Sequence, residues 1–324
     1  MQKLLSRIKF SLVLGALGVF STFLFASCNN ISHTTTSMRS LSSPDCRIIR
    51  HTMGETCVPK KPERLATIFH VTLGNTLLLG LEPIGSSIVE VEEQFPEYLE
   101  NKTGTIEPLG TQDQPSLEAL AKLKPDLILS WDLAQADYSL LSHIAPTVLI
   151  PWQGSVIWKE YFELIAEALG KEAEAEQAWK HYYQRVNELK VALGDQYKNK
   201  TVSVVFPYFP SGFFLSANNS FIGSILEDIG LERPESQNIG TARGDIFINS
   251  LENLEMIDGD ILFVATSKED ENFREILDSP LAKSLKAVKS RQVYYVNSLT
   301  WNGSNLLAAD TVIDDLYKYL VNTP

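Results

Sequence analysis

Residues 116–130 read SLEALAKLKPDLILS, and residues 250–264 of the same chain read SLENLEMIDGDILFV. Five matched positions are identical and three more exchange Leu for Ile, so the two stretches read as copies of one unit. In each copy the Ser is placed to cap a short helix. Leu117, Leu120 and Leu123 fall on one helical face, and Lys124-Pro125 or Asp258-Gly259 ends the helix. The apolar run after the Asp suits a parallel strand covered on both faces. The unit therefore predicts helix, then buried strand, twice.

The copying extends outward. Upstream, a strand-like run from Leu65 to Phe69 leads to a helix ending Leu79-Gly80-Leu81-Glu82-Pro83, and Val202 to Phe206 leads to Ile229-Gly230-Leu231-Glu232-Arg233-Pro234. Downstream, Pro146 to Ile150 ends near Trp152, as Val293 to Val296 ends near Trp301. Two halves with one strand–helix–strand order predict two α/β lobes with parallel sheets and right-handed crossovers. Their expected limits are 46–170 and 196–324. Between them, after a shorter helix from Ser155 to Leu169, residues 171–195 carry a long helix: Glu and Ala alternate from Glu172 to Glu176. Tyr182, Val186, Leu189 and Leu193 then recur at amphipathic spacing before Gly194. Such a helix either spans the two lobes or packs wholly on the first.

The chain has 324 residues with 28 basic and 40 acidic side chains, a net charge of −12. No Lys/Arg-rich run occurs, so a nucleic-acid partner is excluded on charge. At the N-terminus, Lys3, Arg7 and Lys9 precede an uncharged stretch from Phe10 to Ser27 and then Cys28. A basic head, an apolar core and small residues before a cleavage point read as an export signal over 1–27. Ala26-Ser27-Cys28 resembles a bacterial lipobox, whose Cys is lipidated; Phe25 stands where that motif usually has Leu. The rival reading is an uncleaved anchor, since the stretch is at the lower edge of a spanning length. Both place the folded part outside the cytoplasm. Residues 28–45, rich in Ser, Thr and Asn, read as a flexible tether. Without the signal the net charge becomes −15. Cys46 and Cys57 then remain as a pair in an oxidising compartment, where a disulfide is favoured over a metal pair or free thiols.

Taken in order, Gly54-Glu-Thr-Cys-Val-Pro59 with Pro62-Glu-Arg64, Pro115-Ser-Leu-Glu118, Leu123-Lys-Pro-Asp-Leu127, Ile144-Ala-Pro-Thr147, and Trp301 with Ala308-Ala309 resemble a known family. It is the helical-backbone (class III) substrate-binding proteins of ABC importers. The Cys46-to-Pro59 opening most resembles the iron–siderophore and ferric-citrate branch, cyanobacterial members included. The resemblance implies two Rossmann-like lobes on one long helix, a ligand cleft between them, and a monomer held to the membrane by its lipid alone. It further implies a ferric siderophore or ferric citrate as ligand, with no catalysis and no cofactor. It also implies that Glu118 and Glu252, equivalent in the two copies, dock against Arg residues of the permease.

Ligands of open α/β sheets sit beyond the carboxyl ends of the strands. Those ends carry His70, Trp131, Asp132, Trp152, Tyr208, Phe209, Thr266 and Trp301, with Arg243 in a loop expected to precede a helix. A bulky, often anionic chelate needs flat aromatic walls and fork-geometry donors. Trp131, Tyr208, Arg243 and Trp301 are therefore the leading ligand candidates, with His70 and Asp132 beside them. The histidines His33, His51, His70, His143 and His181 lack metal-ligand spacing, so iron is expected already chelated. An enzyme is disfavoured, because no phosphate-cradling Gly loop and no Gly-x-Ser-x-Gly elbow is present. Cobalamin or haem is the alternative ligand for the same architecture.

Overall fold

The computed structural model describes residues 46–89, 94–208, 210–266 and 272–322. The export segment, Cys28, His33, the tether and Phe209 lie outside them. The described chain enters through a hairpin, β1 (Cys46–His51) and β2 (Gly54–Pro59). Next come β3 (Leu65–Ile68), α1 (His70–Leu78), β4 (Gly85–Ile88), β5 (Glu107–Thr111), α2 (Leu117–Leu123), β6 (Leu127–Trp131), α3 (Tyr138–Ile144) and β7 (Thr147–Ile150). They form a parallel sheet in the order β5-β4-β3-β6-β7. Two helices follow, α4 (Trp158–Leu169) and α5 (Glu172–Leu193).

The second lobe contains β8 (Val202–Tyr208), β9 (Gly212–Ser216), α6 (Phe221–Ile229), β10 (Asp245–Ile248), β11 (Ile261–Thr266), α7 (Asn272–Asp278), α8 (Lys286–Ser290) and β12 (Val293–Asn297). After it come α9 (Ser298–Trp301) and α10 (Leu306–Leu316). Its sheet runs β10-β9-β8-β11-β12, with β8, β11 and β12 parallel and β9 and β10 antiparallel. The antiparallel pair is an addition to the parallel plan, and it places Arg243 before a strand, not before a helix.

The copied unit accounts for the sheet centres. Every residue of β6 is buried, as are Ile261 to Ala265 of β11. In the first copy Ser116 accepts a hydrogen bond from the Ala119 N–H, and Lys124 ends α2 in the left-handed region at φ 50°. The second copy differs: Leu251–Ile257 is a 3-10 turn, non-helical at Asn253. Asn253 stands where the first copy has Ala119. Asn competes for backbone groups, whereas Ala is the best helix former.

The hairpin covers the β7 edge, with the Thr52 N–H donating to the Leu149 carbonyl at 3.2 Å and the Thr56 hydroxyl to the Thr147 carbonyl at 3.0 Å. Cys46 and Cys57 are disulfide-bonded across it, 11 residues apart. Closing so short a loop restricts the unfolded chain, so replacing both cysteines with serine should cost about 3 kcal/mol on the loop-entropy model. Denaturant unfolding of oxidised protein and double variant measures the difference. Equal midpoints would remove the bridge from the list of stabilising features.

Three ties hold the lobes. Helix α5 packs on α4 of the first lobe and α6 of the second. Around it, Lys159 of α4 pairs with Asp228 of α6 at 2.9 Å, the Tyr182 hydroxyl donates to the same carboxylate at 2.7 Å, and the Trp158 indole N–H donates to the Ser224 hydroxyl at 3.0 Å. Finally α10 returns to lie on α1 and α5, where Arg185 meets Asp310 at 3.3 Å and Asp314 at 2.5 Å. Packing on both lobes excludes a helix confined to the first. A stiff connector with these ties is expected to keep lobe rotation small, and a free-versus-bound comparison showing tens of degrees of rotation would refute it.

Candidate functional site

A cavity of about 350 Å³ opens between the lobes, at the carboxyl ends of the strands. Its first-lobe wall is Phe69, His70, Val71, Gln112 and Trp152; its second-lobe wall includes Phe206, Phe214, Ser216, Ser220, Phe221 and Arg243. One end is sealed by backbone. Gly154 has φ +89°, and a Cβ there would lie 2.5 Å from the Arg243 carbonyl oxygen. Gly244, also at φ +89°, would place a Cβ 2.6 Å from the Ser155 hydroxyl. Glycine at both positions lets the lobes touch.

Phe69 shapes the first wall. It links β3 to α1 at φ 117°, a region costly for a bulky side chain. The surroundings impose it: the Ser87 hydroxyl accepts from its N–H at 2.8 Å, and its ring stacks on Trp131 at 4.2 Å with Trp152 edge-on at 5.1 Å. The next residue, His70, is thereby turned to the cavity. The Gln112 side-chain oxygen lies 3.2 Å from its Nδ1. Burial pushes the His70 pKa down to about 4, against the raising effect of that hydrogen bond. The ring is neutral at pH 7, and donation from Nδ1 leaves Nε2 free to accept from a ligand.

The second wall is the positive one. Arg243 is exposed in the loop before β10, and α6 begins at the cavity with Ser220 as its cap, accepting from the Gly223 N–H at 2.9 Å. A helix N-terminus favours anions. Behind this wall Arg233 is 8% exposed and donates to the Ser216 carbonyl at 2.8 Å and to Gln237. Burial lowers its pKa to about 9, so it stays charged at pH 7. The wall thus offers Arg243 directly and a buried cation one residue behind.

The candidate residues from the sequence divide. His70, Arg243 and Trp152 line the cavity, and Trp301 borders it. Trp301 is fully buried, however, with its indole N–H donated to Asp315 at 2.9 Å and its ring 4.5 Å from Phe263. It lines the cavity as a packed, hydrogen-bonded ring. Trp131 lies one layer back, beneath Phe69, so it supports the wall without forming it. Asp132 accepts the Trp152 N–H at 3.1 Å and positions that residue. Tyr208 is 55% exposed beyond the cavity, against Phe214. Thr266 ends β11 outside the lining. Glu118 and Glu252 are exposed, one on each lobe.

Phe69, Gln112, Phe206, Phe214, Ser216 and Ser220 were not singled out from the sequence. Phe214 was findable: Pro210-Ser211-Gly212 between aromatic-rich runs is a hairpin signal. The strain at Phe69 leaves no mark in composition or spacing. Among the described residues no three His, Cys, Asp or Glu side chains gather as a metal-binding group, and no helix is long and apolar enough to cross a membrane.

Residues 77–299 match the family described as "Periplasmic binding protein". The chain is 33% identical to the probable siderophore-binding lipoprotein YfiY of Bacillus subtilis, covering 94% of this chain and 96% of that one. It is 28% identical to the Fe(3+)-citrate-binding protein YfmC of the same organism, covering 94% and 95%. Among solved structures, Staphylococcus aureus SirA complexed with staphyloferrin B superimposes with a TM-score of 0.74 at 29% identity, over 85% of this chain and 98% of that one. The two lobes, the cavity between them and these matches lead to one assignment: the chain belongs to the periplasmic binding protein family.

Proposed function

We propose that this protein is an extracytoplasmic receptor that captures a ferric siderophore or ferric citrate between its lobes and hands it to an ABC importer. The observation that carries this reading is the interlobe cavity, walled by Phe69, Trp152, Phe206 and Phe214 and supplied with Arg243, in a chain whose relatives are named for ferric chelates. The aromatic rings take the chelate's apolar surface and Arg243 takes an anionic edge in fork geometry. His70, Asp132, Trp131, Tyr208 and Trp301 complete the set as wall, support or rim. Residues 1–27 act as export signal, Cys28 carries the lipid, 28–45 is the tether, and the monomer reaches the membrane only through that lipid. The lobes are 46–170 and 196–324, joined by 171–195. Glu118 and Glu252 meet the permease. No bond is made or broken in the cargo.

The test is protein purified from its own host. A ferric chelate, seen by mass and by its charge-transfer absorption, is the expected cargo. A corrin or haem spectrum would replace this reading with the cobalamin or haem alternative.

A further inference from the structure

Along β8 the even-numbered residues pass from one environment to the next. Val202 and Val204 are fully buried in the core, Phe206 forms cavity wall, and Tyr208 stands 55% exposed. Alternation puts all four on one face of the sheet. The neighbouring strands continue that face: Phe214 of β9 lies opposite Phe206, and Phe247 of β10 lies opposite Phe214. The Phe214 and Phe247 ring centroids are 4.8 Å apart, and Tyr208 stands edge-on to both at 5.4 and 6.3 Å. Phe247 is 46% exposed. Three strands thus carry a ledge of rings from the cavity to the open edge of the sheet, and Phe214 belongs to both cavity and ledge.

We infer that this ledge is a second part of the ligand site, receiving a flat apolar arm of the chelate, aryl or hydrocarbon-linked, while the chelate's anionic centre lies in the cavity beside Arg243. The inference rests on the chelate-receptor reading above and narrows it. A compact, all-carboxylate chelate fits the cavity pole but leaves the rings wet. A chelate with arms covers them, and aromatic faces reward flat partners in offset or edge-on contact. The ledge is continuous with the cavity through Phe214, so a ligand seated there reaches it without any movement of the lobes.

The test compares three probes on intact protein: a ferric tris(catecholate), a ferric trihydroxamate with hydrocarbon-linked arms, and ferric dicitrate. The wild type should bind at least one armed chelate more tightly than ferric dicitrate. The double variant Tyr208→Ala/Phe247→Ala should narrow that preference at least about tenfold. Both side chains are about half exposed, so an unchanged melting temperature serves as the folding control. Greater loss with the catecholate identifies an aryl arm; greater loss with the trihydroxamate identifies a hydrocarbon arm. Ferric dicitrate binding as tightly as both armed chelates overturns the inference, as does a variant that keeps the preference. So does intact chelate binding with lost uptake, which would assign the ledge to a protein partner. Failure of the wild type to bind any of the three defeats the chelate-receptor reading itself.

Discussion

Replacing Glu118 and Glu252 together with alanine leaves ferric-chelate affinity at the wild-type value and reduces iron-chelate uptake to that of cells lacking the protein. Neither carboxylate lines the cavity, and both are solvent-exposed in the first turn of their segment, one on each lobe. Glu118 lies 2.7 Å from Lys122, but both side chains are largely exposed. Such pairs contribute at most about 1 kcal/mol, so folding survives the change. A carboxylate meeting an Arg in a desolvated interface is another matter: losing one partner costs about 2–5 kcal/mol. If both carboxylates meet the permease as proposed, losing the two together should remove both affinity and orientation. Whole-cell uptake of labelled chelate, beside a binding titration of the purified variant, separates the two steps. Normal uptake by the double variant would refute the docking role.

Arg243→Ala lowers affinity for an anionic ferric chelate about 10- to 150-fold, the equivalent of ~1.5–3 kcal/mol for a hydrogen bond to a charged group. The size of the effect follows from the surroundings. The chain carries a net charge of −12, so its overall field repels an anionic cargo and attraction must come from within the cleft. Arg243 is the exposed cation of the lining, whereas Arg233 acts only through Ser216. Arg243→Lys should restore only part of the affinity, because an ammonium has the charge without the fork. Fluorescence titration of the three proteins with one ferric chelate reads the series. An unchanged dissociation constant for the alanine variant would remove Arg243 from the ligand's contacts.

The copied unit at 116–130 and 250–264 made the two sheet centres legible, because a Ser cap, an apolar face and a buried strand are local signals. The long helix was legible for the same reason, and the disulfide followed from an isolated cysteine pair in an exported chain. Site residues were harder. Strand ends pointed to His70 and Trp152, which line the cavity, but a strand end does not reveal which ring covers which. Phe69 occupies the wall in front of Trp131 through a backbone conformation that only its tertiary surroundings impose. Trp301 looked like a free aromatic until Asp315, 14 residues later, took its indole N–H. The antiparallel hairpin of β9, with the ledge built on it, interrupts the repeat and so escaped a reading made by matching halves.

Selection of an iron chelate is the property the cleft is proposed to have. Ligand-free protein, with 5 tryptophans including Trp152 in the cavity wall, reports occupancy through its own fluorescence. Titration with ferric siderophores, the same chelators without iron, cobalamin and haem reads that selection. We predict saturable quenching at one equivalent by at least one ferric chelate, with a dissociation constant below ~1 μM, and markedly weaker binding of the iron-free chelators. Saturation by cobalamin or haem, with no response to any ferric chelate, would contradict it.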